Sequence, residues 1–168
     1  MLQLVKRIGC GCAVIACVAL APTAFAMGHL FSKEKTVHVH AIDASGIGTD
    51  IGTLTLSDSS GGLTVKPALH SLPPGDHGFH IHAKPDCGPA EKDGVMTAGL
   101  AAGGHFDPDN TGKHEGPMGM GHVGDMPTLV VAADGTATAA IVVPRMTIAK
   151  AQGHAIVIHE GGDNYSDT

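Results

Sequence analysis

Hydrophobic and polar residues alternate with a period of two along several short stretches, most clearly in Gly78, Phe79, His80, Ile81 and His82. On a strand, Phe79 and Ile81 point to one face and the two histidines to the other. Thr36 to Ile42 alternates likewise, with Val37, Val39 and Ala41 opposite His38 and His40, and Leu54 and Leu56 alternate inside Gly52 to Ser57. After the turn cluster Asp58 to Gly62, Leu63, Val65 and Leu69 share one parity, and Pro73, Pro74 and Gly75 break the chain before the Gly78 strand. Leu129 to Ala133, the turn Asp134-Gly135 and Ala137 to Val143 read as a hairpin, and Ala155 to Ile158 reads as a buried strand. Met146 to Ala151 suits a short helical turn, and no longer amphipathic helix is visible. Seven strands with turns between them predict an all-β fold, a Greek-key β-barrel or flattened sandwich.

Between Lys84 and Pro127 the alternation gives way to Gly, Pro, Asp and His, a loop too long to stay structureless unless something such as a metal orders it. At the other end, Lys6 and Arg7 precede the apolar run Ile8 to Leu20, and Ala24, Phe25 and Ala26 follow as a small-x-small cleavage site. Residues 1–26 thus read as a secretory signal peptide, residues 27–168 as one domain, and the run is short for a membrane span. A competing reading takes Val14 to Cys17 as a lipoprotein box, with a lipid anchor on Cys17. A chain starting at Met27 would carry His29 at its third position, where a free amine, two amides and the imidazole form a square-planar site for copper(II).

Past the leader, eight basic residues face sixteen acidic ones, no Trp is present and no basic run occurs, which excludes nucleic acid as a partner. Of the four cysteines only Cys87 lies outside the leader. Twelve histidines ask for another chemistry. The long loop holds His105, His114, His122 and Asp125, three imidazoles and a carboxylate, the donor types of a tetrahedral zinc site. His80, His82 and His159 make an all-imidazole set suited to copper, and His105 is the natural residue to be shared between the two.

GFHIH from Gly78, GGHFDP around His105, HEGP at His114, GHVGD from Gly121 and HEGGDNYSD from His159 together resemble the copper/zinc superoxide dismutases of the bacterial periplasm. The resemblance covers nearly all of the chain after the leader. It implies copper on His80, His82, His105 and His159, and zinc on His105, His114, His122 and Asp125. Asp163 matches the carboxylate that links a copper-bound to a zinc-bound imidazole from behind. The implied reaction is dismutation of superoxide to dioxygen and hydrogen peroxide, with His105 as bridge and proton carrier, in the periplasm.

The family's last strand, with the cysteine partner of Cys87 and an active-site arginine, has no counterpart before Thr168, and no basic residue follows Lys150. The expected consequences are an open sheet edge, a tendency to associate with a homodimer as its simplest form, and a Cys87 thiol able to cross-link chains. An alternative function follows, a secreted copper/zinc-binding protein with weak or no turnover. Outside the two sets, His77 is expected to bond backbone, His38 and His40 to line a solvated strand face, and Arg145 to pack a loop. His70, which flanks the turn with His77, reads as structural, His154 matches no ligand position, and Met118 and Met120 read as filler in a Gly-rich loop.

Overall fold

The computed structural model describes residues 3–6 and 34–167. The expected cleavage point after Ala26, Cys17 and the segment Met27 to His29 lie outside the described residues. Eleven strands are described: β1 (Gln3–Lys6), β2 (Lys35–Asp43), β3 (Gly46–Ser59), β4 (Gly62–Leu69), β5 (Gly75–His77), β6 (Phe79–His82), β7 (Ala90–Lys92), β8 (Val95–Thr97), β9 (Leu129–Val131), β10 (Ile141–Val143) and β11 (Ala155–Ile158). The one α-helix among the described residues, α1 (Ile148–Ala151), is a single turn capped by the Thr147 side chain, where the sequence predicts a short turn.

Seven strands form one antiparallel sheet in the order β10, β4, β3, β2, β1, β11, β6, and the sheet does not close on itself. Alternation places the inward residues as expected. Leu54, Leu56, Leu63, Val65, Phe79 and Ile81 are fully buried, together with Met126 from the long loop and Met146 before α1.

One expectation differs from the structure, and a second concerns a strand inside the segment read as a leader. The stretch read as a hairpin turns at Asp134-Gly135, with Ala132 and Thr136 bonded across it, but its arms then separate: β9 pairs with β5 and β10 with β4. Turn chemistry is local, whereas the choice of strand partner depends on burial against distant residues. The sheet position next to β11 is also filled, since β1 pairs on one side with β11 and on the other with β2. In the uncleaved chain the N-terminal segment satisfies backbone groups there, whereas the open edge is expected of a chain without residues 1–26.

The free edge of β6 is covered by the long loop, through bridges from His80 to Asp125 and from His82 to His105. Three backbone bonds tie the join: Ile81 N–H to Gly124 O, Phe106 N–H to Ile81 O and Gly124 N–H to Phe106 O, each 2.8 Å. This close approach is possible because residue 124 has no side chain. A Cβ there would stand 2.2 Å from Ile81 O and 2.8 Å from Phe106 N. Gly124→Ala should therefore cost about 1–3 kcal/mol or more by overpacking, seen as a lower denaturant midpoint. An unchanged midpoint would mean that the loop yields without loss.

Candidate metal centre

β6 carries His80 and His82 side by side on the face opposite Phe79 and Ile81, and both are buried, at 4% and 8% exposure. β11 delivers His159 just past its end, where the His159 amide donates to Gly78 O at 2.8 Å. The loop bridged to β6 brings His105 and Asp125. Donor atoms of His80, His82, His105 and His159 all lie within 4.8 Å of one another. A second set of the same closeness is His80, His105, His114 and Asp125, so that His80 and His105 each belong to both.

Asp125 is the hub of the second set. Its Oδ1 accepts from His105 Nδ1 at 2.9 Å and lies 3.5 Å from His122 Nδ1. Its Oδ2 accepts from the Gly116 amide at 3.2 Å and lies 2.9 Å from His114 Nδ1. His122 thus faces the same carboxylate as His105 and His114, but stands just outside the tight set, its ring centroid 6.0 Å from that of His114. Asp163 joins the two sets from behind, with Oδ2 2.5 Å from His80 Nε2 and Oδ1 2.8 Å from His114 Nε2. His82 Nδ1 donates to Gly103 O at 2.7 Å, which turns its Nε2 inward to 3.4 Å from His159 Nε2.

Three nitrogens in this cluster, His80 Nδ1, His114 Nδ1 and His122 Nδ1, are buried without a hydrogen-bond partner. His114 Nδ1 is close to Asp125 Oδ2 yet not aligned with it for a hydrogen bond. Leaving such atoms unmet costs about 1–3 kcal/mol each, and a cation accepting their lone pairs removes that cost. The donor set fits borderline divalent metals: neutral imidazoles for copper, imidazoles with one carboxylate for zinc.

Burial, and then the neighbouring His105, push His80 down from 6.5 to about 3 against the opposing hydrogen bond of Asp163. Burial lowers His82 and His159 to about 4. These imidazoles are therefore neutral, the form that ligates metal. Burial alone would raise Asp163, but the His114 hydrogen bond, the Tyr165 amide and His80 outweigh it and hold the carboxyl at about 2. Asp125 is likewise lowered, since His105 and the other imidazoles overcome its burial.

Several supports of the centre escaped the sequence. Tyr165 hydroxyl accepts from the Thr128 amide at 3.0 Å and donates to Met126 O at 3.2 Å, and the Asp167 carboxylate accepts from the His114 amide at 2.6 Å. The tail after Asp163 is thereby pinned across the zinc-type loop. The one hint was that Tyr165 is the only tyrosine in the chain. Arg145, expected to pack a loop, donates to the carbonyls of Gly119, Gly121 and His122. His77 bonds the carbonyls of His159 and Pro73, as expected. His154 bonds Ala83 O beside Phe106, and His70 bonds Ser71, while Met118 and Met120 stand exposed. Cys87 is buried at 3% among Ile42, Ala98, Ala102, Ala155 and Val157.

In the unfolded chain His80, His82 and His159 take up protons near 6.5, but in the fold only at about 3 to 4. The unfolded state binds more protons across that window, so stability falls as pH falls through it. Asp163, depressed to about 2, adds to the loss at still lower pH, and His114, which is raised, opposes it as a single group. Denaturant melts of the metal-free protein should show a midpoint that drops steadily from pH 6.5 to 4. A flat midpoint over that range would contradict the buried neutral imidazoles.

The family model for copper/zinc superoxide dismutase (SODC) matches residues 50–168. Superoxide dismutase [Cu-Zn] of Escherichia coli K12 is 48% identical over 151 residues, covering 89% of this chain and 87% of that protein. Superoxide dismutase [Cu-Zn] 2 of Salmonella typhimurium is 50% identical over 137 residues, covering 81% of this chain and 79% of its own. Among solved structures, the Cu/Zn superoxide dismutase from Brucella abortus superposes with a TM-score of 0.76 at 43% identity, covering 81% of this chain and 89% of its own. The solution structure of the monomeric enzyme from Salmonella enterica gives 0.74 at 50% identity, with the same coverage of both chains.

Proposed function

This chain belongs to the copper/zinc superoxide dismutase family and dismutates superoxide to dioxygen and hydrogen peroxide with copper and zinc, and we propose which of its residues do so. Copper is assigned to His80, His82, His105 and His159, and zinc to His105, His114, His122 and Asp125, with His105 shared. The observation that carries the assignment is the convergence of these imidazoles, with His80 Nδ1, His114 Nδ1 and His122 Nδ1 buried and lacking any hydrogen-bond partner. Bound copper supplies one-electron redox chemistry, and bound zinc, which has none, supplies fixed positive charge.

The chain's own residues do the rest. Asp163 fixes the rings of His80 and His114 through their outer nitrogens, so each presents Nδ1 to its ion. With Nδ1 of His105 committed to the zinc side, its Nε2 is the atom that holds a proton and hands it to the forming peroxide. A cavity of about 160 Å³ lies against His82 and His159, walled by Thr97, Ala98, Leu100 and Gly103, and has room for a small anion. The apolar wall limits the water that enters with it.

Residues 27–168 form the proposed catalytic domain, and residues 1–26 a leader that sends it to the periplasm, with signal-peptidase cleavage and a lipid anchor on Cys17 as the two routes. Either cleavage would detach β1 from β2 and β11. The rival reading, a metal-binding protein with little turnover, predicts metal uptake without competition for superoxide. Metal analysis of loaded variants tests the assignment. His105→Ala should disturb both ions, and His159→Ala should lose copper and keep zinc. Full zinc retention in His105→Ala would reject the shared ligand. In a cytochrome c competition assay, loaded wild type should outcompete the reporter, while His159→Ala should match the metal-free protein.

A further inference from the structure

Outside the centre, His38 and His40 on β2 and Asp50 on β3 meet on the outer face of the sheet, with β1 and β11 between β2 and β6. Val37 and Val39 point into the core, so the two histidines between and beyond them face solvent. Plain antiparallel pairing would not place a carboxylate here. His38 opposes Thr53 and Val39 opposes Gly52, but the register then slips, so that His40 opposes Asp50. Gly52 permits the slip: it sits at φ 119, and a Cβ there would stand 2.1 Å from Ala68 O.

Each of two groups is oriented by a bond that leaves another atom available. The Gly52 amide donates to Asp50 Oδ1 at 2.8 Å, leaving Oδ2 turned to the imidazoles. His40 Nδ1 donates to Gly48 O at 3.3 Å, which leaves Nε2 as the bare nitrogen, 3.9 Å from Asp50 Oδ2. His38 Nδ1 lies 2.8 Å from the same oxygen. The Gly52 amide, and then His38, hold Asp50 below the usual carboxylate range, so it is charged at neutral pH.

We propose that His38, His40 and Asp50 form a second, surface metal site on this protein, binding one borderline divalent ion, copper(II) or zinc. Two imidazoles and a carboxylate are the donors such ions prefer, whereas calcium and magnesium require oxygen donors throughout. Backbone bonds behind His40 and Asp50 orient these ligands as bonds behind metal ligands do elsewhere. Both histidine side chains are reachable from solvent, at 55% and 25% exposure, so the rings rotate onto the ion without a change in the sheet. An entering ion displaces the proton that His38 Nδ1 shares with Asp50, and the remaining coordination positions are left to water.

The test starts from protein already loaded with copper and zinc and titrates it with zinc chloride, and separately with copper(II), in a calorimeter. One further equivalent should bind for zinc, and one for copper(II) when the titration is done in the His29→Ala background. The double variant His38→Ala/His40→Ala should abolish it, and Asp50→Asn should weaken it by roughly 10- to 100-fold, both with unchanged superoxide activity and circular dichroism. His29→Ala serves as the control for the N-terminal segment and should leave the equivalent in place. Nitrogen-15 spectra should show His38 and His40 ring signals shifting with the added zinc. Absence of a further equivalent, its loss in His29→Ala alone, or its survival in the double variant would overturn the proposal.

Discussion

Everything in the metal centre depends on how the free edge of β6 is closed. A strand that carries two buried imidazoles exposes its backbone donors and acceptors on the side away from β11, and these need partners as much as the imidazoles do. Gly124 and Phe106 provide them from two separate parts of the long loop. The same pairing sets His105 opposite His82 and Asp125 opposite His80. The loop is therefore not an appendage held only by its ligands. It is a continuation of the sheet in which the ligand register is a backbone register.

Electrostatics completes what the backbone begins. Imidazoles packed this tightly cannot all carry protons, and burial keeps His80, His82 and His159 neutral. Two carboxylates, Asp125 inside and Asp163 behind, then fix the rings of His105, His80 and His114, and the Gly103 carbonyl fixes that of His82. The outcome is a site whose lone pairs are aimed before any ion arrives, a preorganised arrangement that reduces what binding must reorganise. The tail from Asp163 to Asp167 and the Arg145 guanidinium hold the outer wall of that site from two further directions.

Most of this was legible in the sequence where the signal is local. Alternation placed Phe79 and Ile81 inside and His80 and His82 together, and Ala155 to Ile158 is a strand with the bounds expected. The donor types of the loop pointed to zinc and copper chemistry before any geometry was known. What could not be read was pairing between distant residues. Ala90–Lys92 and Val95–Thr97 form a small exposed hairpin with too few residues and too little burial to leave a periodic pattern. The arms beyond Asp134-Gly135 looked like partners and went to β5 and β4 instead. The slip that sets Asp50 beside His38 and His40 is likewise invisible along one strand, because it arises only from the fit of two.

The central claim is that one imidazole, His105, is shared by both ions. Protein loaded with copper(II) in both sites and examined by electron paramagnetic resonance tests it most directly. A shared imidazolate couples the two unpaired spins, so the ordinary copper signal should collapse and a half-field transition should appear. Raising the acidity enough to protonate the bridge should restore the ordinary signal. Two independent copper signals at neutral pH, summing to both ions, would contradict the shared ligand.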